Sequence, residues 1–175
     1  YFNLHTFIFM PIFSLNNAMV PIIAYNYGAR KRDRIMKTIR LSTIYAVGMM
    51  LVGLAVFLIF PAQLLSLFNA SENMLAIGVP ALRTISLSFV FAGFCICSLS
   101  VCQSMGHGFL SLAVSVVRQL VVLLPAAFLL SKIGLDAVWW AFPIAEISSF
   151  LMSVIFLRYI FKTVINPLGE EKASA

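Results

Sequence analysis

The sequence predicts an all-α membrane protein, a bundle of five transmembrane helices, and three observations predict it. Of its 175 residues, 62% are apolar and 10% are charged, with a mean hydropathy of +1.02. Soluble domains carry roughly 25% charged residues. Predominantly apolar stretches of about 20 residues, the length that crosses a hydrocarbon core, recur five times between Phe7 and Ile160. The charges gather between them, with six of the twelve Lys and Arg residues lying from Arg30 to Arg40.

That basic block sets the orientation. Lys and Arg beside apolar spans are retained on the cytoplasmic side, so Arg30 to Arg40 is expected inside. Membrane lipid with anionic headgroups is the expected partner for the net charge of +6. Nucleic acid is not expected, because no aromatics interleave with the basic block as a stacking platform requires. Cys95, Cys97 and Cys102 have no C-x-x-C spacing or clustered His beside them, so they read as buried, apolar-like thiols rather than metal ligands. His5 and His107 stand too far apart from other ligands to hold a metal. No nucleophile and base pair, metal constellation or phosphate-cradling glycine loop is present, and the chain is expected not to be an enzyme or to need a cofactor. The opening Tyr1-Phe2-Asn3 lies inside an apolar run with no initiator Met and no signal-peptide pattern. The chain is expected to be a piece of a longer one.

The first span, about residues 7–27, is broken by Pro11 and Pro21 and carries Asn16 and Asn17 near its middle. Proline removes a backbone donor, which lipid tolerates only where protein or water supplies the missing bond, so this span is expected to line a cavity or pack on other helices. Asn16 and Asn17 read either as interhelical glue or as part of a solute or cation path. Gly28 is expected to end the helix in a left-handed conformation. The second span, 41–62, is uncharged and ends at Phe60-Pro61. Residues 63–80 read as an outward connection holding one acid, Glu72, with a short amphipathic turn at Leu64–Phe68. Asn69-Ala70-Ser71 matches a glycosylation sequon too short and common to carry weight.

The third span, 83–105, starts at an Arg83 long enough to snorkel, and Gly106-His107-Gly108 makes a turn tight enough to force antiparallel neighbours. The fourth span, 109–131, carries Arg118 and Gln119 near its midpoint and Pro125 beyond them. Lys132, Gly134 and Asp136 form the outer turn, and Trp139-Trp140 anchor the fifth span, 137–160, which holds Pro143 and Glu146 and ends at Arg158. Residues 163–175 read as a polar, frayed cytoplasmic tail. Five spans that begin outside end inside, and the inner segments then hold all basic residues except Arg83, Arg118 and Lys132.

An arginine at the depth of Arg118 costs about 2.5–3.5 kcal/mol without a partner or water. Arg118 and Glu146 each lie nine residues from opposite ends of their helices, or about 14 Å into a core about 30 Å thick. They are expected at one depth on neighbouring helices, paired directly or through water. The competing reading leaves Glu146 unpaired as a proton site facing a cavity.

Pro21-Ile22-Ile23-Ala24-Tyr25-Asn26-Tyr27-Gly28-Ala29 with the basic run after it resembles the end of the eighth helix in multidrug and toxic compound extrusion (MATE) transporters. The Gln103-Ser104-Met105-Gly106 turn, Arg118 with Pro125, and Gly134 to Pro143 follow in the order the family shows. The resemblance implies helices eight to twelve, part of one lobe of a twelve-helix transporter in a bacterial cytoplasmic membrane, multi-pass, with its C-terminus in the cytoplasm. It implies efflux of small organic cations and drugs by antiport, coupled to a sodium ion or proton gradient, in partnership with a missing N-terminal lobe. Candidates for a substrate or cation path are Asn16, Asn17, Gln103, Arg118, Gln119 and Glu146. Members that couple through this lobe use carboxylates on the seventh and tenth helices, yet residues 83–105 contain no Asp or Glu. The coupling acid is therefore expected in the N-terminal part, or else at Glu146. The alternatives are a flippase of lipid-linked oligosaccharide or peptidoglycan precursors and a non-transporting membrane assembly subunit.

Overall fold

The computed structural model describes residues 2–67 and 71–170, with side chains from residue 6 to residue 168 outside the gap. In order, the helices are α1 (Phe2–Gly28), α2 (Arg32–Ile59), α3 (Pro61–Ser66), α4 (Glu72–Ser86), α5 (Phe89–Ser104), α6 (Gly108–Val116), α7 (Leu124–Ser131), α8 (Leu135–Val138), α9 (Ala141–Ile160) and α10 (Pro167–Glu170). Two π-helical segments interrupt them, Val117–Leu123 between α6 and α7 and Phe161–Ile165 after α9. Among the described residues, four stretches are long and apolar enough to cross a membrane: Thr6–Gly28, Arg32–Ile59, Gly108–Ser131 and Leu135–Ile165. A fifth arises if α4 and α5, bent by 49° at their junction, count as one span.

α5 is the centre of the bundle, contacting α1, α2, α6 and α9. Two apolar clusters fill the interior. One joins Phe9 and Ile12 of α1 to Met50 and Phe57 of α2 and to Ile85 and Phe89, and the other joins Met19, Ile23, Ile35, Val101, Ile160 and Ile165. Backbone meets backbone closely where α2 crosses α5, because a Cβ on Gly93 would meet Met50 Cγ at 2.9 Å and the Ala46 carbonyl oxygen at 3.2 Å. Only a residue without a side chain lets the two backbones approach this far.

Several boundaries differ from the sequence expectation, each for an identifiable reason. α1 runs unbroken through Pro11 and Pro21; both prolines are exposed, so the lost bonds do not face the packed side. α1 does end at Gly28, but the left-handed residue is Arg30 (φ 52°), because the bonds closing the helix run from Lys31 N–H to Asn26 O and from Arg30 N–H to Tyr27 O. α2 begins at Arg32, so most of the basic block forms its first turns. Residues 63–80 are largely helical, and Ser71 caps α4 by accepting from Met74 N–H at 3.4 Å. Phe68, Asn69 and Ala70, and with them most of the sequon, lie outside the described residues.

The expected third span is broken at Leu87-Ser88. Ser86 Oγ donates to Arg83 O at 2.9 Å and Ser88 Oγ to Ile85 O at 2.6 Å. Two hydroxyls competing for carbonyls one turn back bend a helix. Both π segments precede a proline, and at each the last N–H reaches five residues back: Leu124 to Gln119 O and Asn166 to Phe161 O. A proline cannot donate and its ring crowds the carbonyl four residues back, and widening the preceding turn relieves that crowding. Finally, the segment expected as a frayed tail is helical at Phe161–Ile165 and again at Pro167–Glu170, and Ile165 is fully buried in the second apolar cluster. Residues 171–175 lie outside the described residues.

Candidate functional site

The expected pair is present. Arg118 Nη2 lies 3.2 Å from Glu146 Oε1, joining the first π segment to α9. The register explains how they meet. α9 turns Glu146, Ser149 and Ser153, spaced by three and seven residues, onto one buried face, and residues at such spacings share a helix side. The widened turn of residues 117–123 carries Arg118 on the element that packs against α9.

The two partners are unequally buried, with side chains 38% exposed at Arg118 and 9% at Glu146. A single contact of 3.2 Å is longer than the roughly 2.7–2.9 Å of a strong charge-assisted bond. Glu146 Oε2 is buried and has no hydrogen-bond partner among the described residues. The carboxylate is thus only half satisfied, and a buried group in that condition gains strongly from any donor offered to it.

Beside the pair is a cavity of about 390 Å³, lined by Arg118, Gln119 and Glu146 together with Ser88 and the rings of Phe89 and Phe142. Apolar and aromatic walls with a few convergent polar groups are what small-molecule sites offer. A cavity of about 410 Å³ between α1 and α2 is lined by apolar residues such as Phe7, Met49 and Phe57 and has no polar group to orient a ligand.

Of the six candidates, the structure brings together Arg118, Gln119 and Glu146. Asn16 and Asn17 do not line this cavity: Asn16 is half-buried with Oδ1 unpartnered among the described residues, and Asn17 is exposed. Gln103 sits at the C-terminal end of α5, where Nε2 donates to Ser111 Oγ at 2.8 Å, a clip across the turn into α6. Ser88 was not foreseen as a cavity residue. Its signal was the Ser86-Leu87-Ser88 pattern inside an apolar run, which marks the break that opens this wall. The three cysteines are buried free thiols, and Cys97 Sγ lies 3.7 Å from Ser42 O.

Comparison with known proteins connects this arrangement to a family. The MatE family profile matches residues 1–129. Over 165 residues the chain is 27% identical to the multidrug export protein MepA of Staphylococcus haemolyticus (strain JCSC1435), an alignment covering 93% of this chain and 35% of that protein. A solved structure of the MATE multidrug transporter DinF-BH aligns with a TM-score of 0.84 at 32% identity, covering 93% of this chain and 36% of the other. The inward-facing conformation of a multidrug resistance MATE family transporter of the MOP superfamily shares the fold, with a TM-score of 0.84 at 22% identity over 99% of this chain and 40% of that one. The chain therefore spans about a third of the length of the relatives it matches. With the profile match covering most of its length, the chain belongs to the MatE (MATE) family.

Proposed function

We propose that this chain forms part of one lobe of a secondary active exporter that expels organic cations and drugs, exchanging them for sodium ions or protons. The observation that carries the reading is the Arg118–Glu146 pair beside an aromatic cavity. An intramembrane carboxylate facing a cavity is a functional group by default, because its burial in lipid is otherwise strongly unfavourable. In this reading Arg118 occupies Glu146 in the resting conformation. A cation entering the cavity competes for the same carboxylate, and the half-satisfied Oε2 gives it a point of attachment. Alternating access works by one bundle rocking against another across a midplane site, so this lobe needs its partner lobe. Family membership supports the same reading.

The test is export from cells lacking their own exporters. The whole transporter containing this chain should lower accumulation of a fluorescent organic cation, and residues 1–175 alone should leave it at the empty-vector level. Export by the isolated chain would overturn the two-lobe reading, and accumulation unchanged by the whole transporter would overturn the efflux reading.

A further inference from the structure

The span that carries Arg118 turns a different face inward on either side of its π segment. On α6 the inward residues are Ser111 and Val114, both buried, and Arg118 follows four residues later on the same side. At α-helical spacing the next inward positions are Val121 or Val122, then Pro125 and Leu129. Val121 and Leu129 are instead 60% and 62% exposed, and Pro125 is exposed as well. The half-buried residues are Val122 and Leu123, then Ala126 and Ala127, then Leu130. The inward face therefore takes one long step, from Arg118 to Leu123, before it resumes helical spacing. The π bonding accounts for that step, since Leu124 N–H reaches Gln119 O, five residues back. One extra residue is worth about 100° at 3.6 residues per turn, so α7 is turned by about that much relative to α6.

That rotation decides which side chain enters the cavity beside the ion pair. Leu123 lines it together with Arg118 and Gln119, whereas Leu124 is exposed. Most of the other apolar wall is committed to the core. Phe9, Ile85 and Phe89 belong to the first apolar cluster and Phe142 packs against it, and the Phe89 ring meets those of Phe9 and Phe57 at 5.6 and 5.2 Å between centroids. Leu123 belongs to neither cluster, so its size can change without emptying the core. The cavity, at about 390 Å³, is near the lower end of the roughly 300–1,000 Å³ of small-molecule sites. One branched side chain is a sizeable part of that room.

We propose that Leu123 limits the size of the cation able to reach Glu146, and that the π segment before Pro125 holds it in that place. The inference rests on the exporter reading above and adds a specificity-determining residue to it. The rings of Phe89 and Phe142 and the Glu146 carboxylate attract positive charge. Leu123 adds the steric part, admitting a compact cation and obstructing a bulky one.

Everted vesicles containing the whole transporter, under an imposed ion gradient, test it with two radiolabelled cations, compact tetraethylammonium and bulky tetraphenylphosphonium. The quantity read is the ratio of kcat/KM for the bulky cation to that for the compact one. Leu123→Ala should raise this ratio about tenfold, the lower end of the roughly 10–200-fold that one methylene is worth in an apolar pocket, chiefly through a lower KM for the bulky cation. Leu123→Phe should lower it. Leu124→Ala, one residue along and outside the cavity, should leave it as it is. An unchanged ratio in both Leu123 variants, or an equal change in Leu124→Ala, would overturn the proposal. A wild type that moves neither cation would overturn the exporter reading, and this inference with it.

Discussion

Removing either partner of the Arg118–Glu146 pair should harm the protein, but unequally, and burial sets the order. The Glu146 side chain is 9% exposed and has one oxygen already unpartnered among the described residues. Arg118→Gln would strand its carboxylate completely, and leaving a buried charge uncompensated costs about 3–5 kcal/mol. Glu146→Gln strands a guanidinium that is 38% exposed and opens onto the cavity, where water screens it. That loss should be closer to the 1 kcal/mol or so of an exposed pair. The double substitution removes both charges and should recover much of the Arg118→Gln loss, giving a coupling energy of about 1–3 kcal/mol. At about 2–4 °C per kcal/mol for a chain of this size, thermal unfolding of detergent-purified protein would separate the three variants. Equal losses, a larger loss in Glu146→Gln, or strictly additive effects would show that the pair does not stabilise the fold in the way its geometry implies.

Two further outcomes are expected. With Cys95, Cys97 and Cys102 replaced, single cysteines at the exposed positions Lys37 and Asn73 should label from opposite sides of the membrane, Lys37 from the cytoplasm; labelling from one side would refute the assigned orientation. Gly93→Val should cost about 1–3 kcal/mol in thermal unfolding, because its Cβ would press on Met50 and the Ala46 carbonyl, whereas Gly48→Ala, with open space around it inside α2, should be neutral or stabilise by up to about 1 kcal/mol.

What was legible in the sequence was whatever depends on length and charge. Helices of spanning length, the tight turn at Gly106 to Gly108 and the meeting of Arg118 with Glu146 all follow from counting residues against a fixed thickness. The illegible parts depend on competition for backbone carbonyls. Ser86 and Ser88 take carbonyls from the helix and bend it, and Pro125 widens the turn that holds Arg118; neither effect appears in hydropathy. The frayed-tail expectation missed Val164, Ile165 and Leu168, because three apolar residues in so short a stretch leave no periodic signal. The cavity itself was the least legible feature. Its walls come from α1, the α4–α5 break, the first π segment and α9, far apart in the chain, and only Arg118, Gln119 and Glu146 advertised themselves by being polar in an apolar span.

The central claim is that Glu146 works as an exchangeable partner, held by Arg118 and given up to a passing cation. Uptake of a fluorescent organic cation into everted membrane vesicles containing the whole transporter, with an imposed proton or sodium gradient, tests it most directly. The wild type should take up the dye only with the gradient present, and Glu146→Gln, inserted at near-normal levels, should lose most of the gradient-driven uptake. Gradient-driven uptake by Glu146→Gln equal to that of the wild type would contradict the account and reduce the pair to a structural brace.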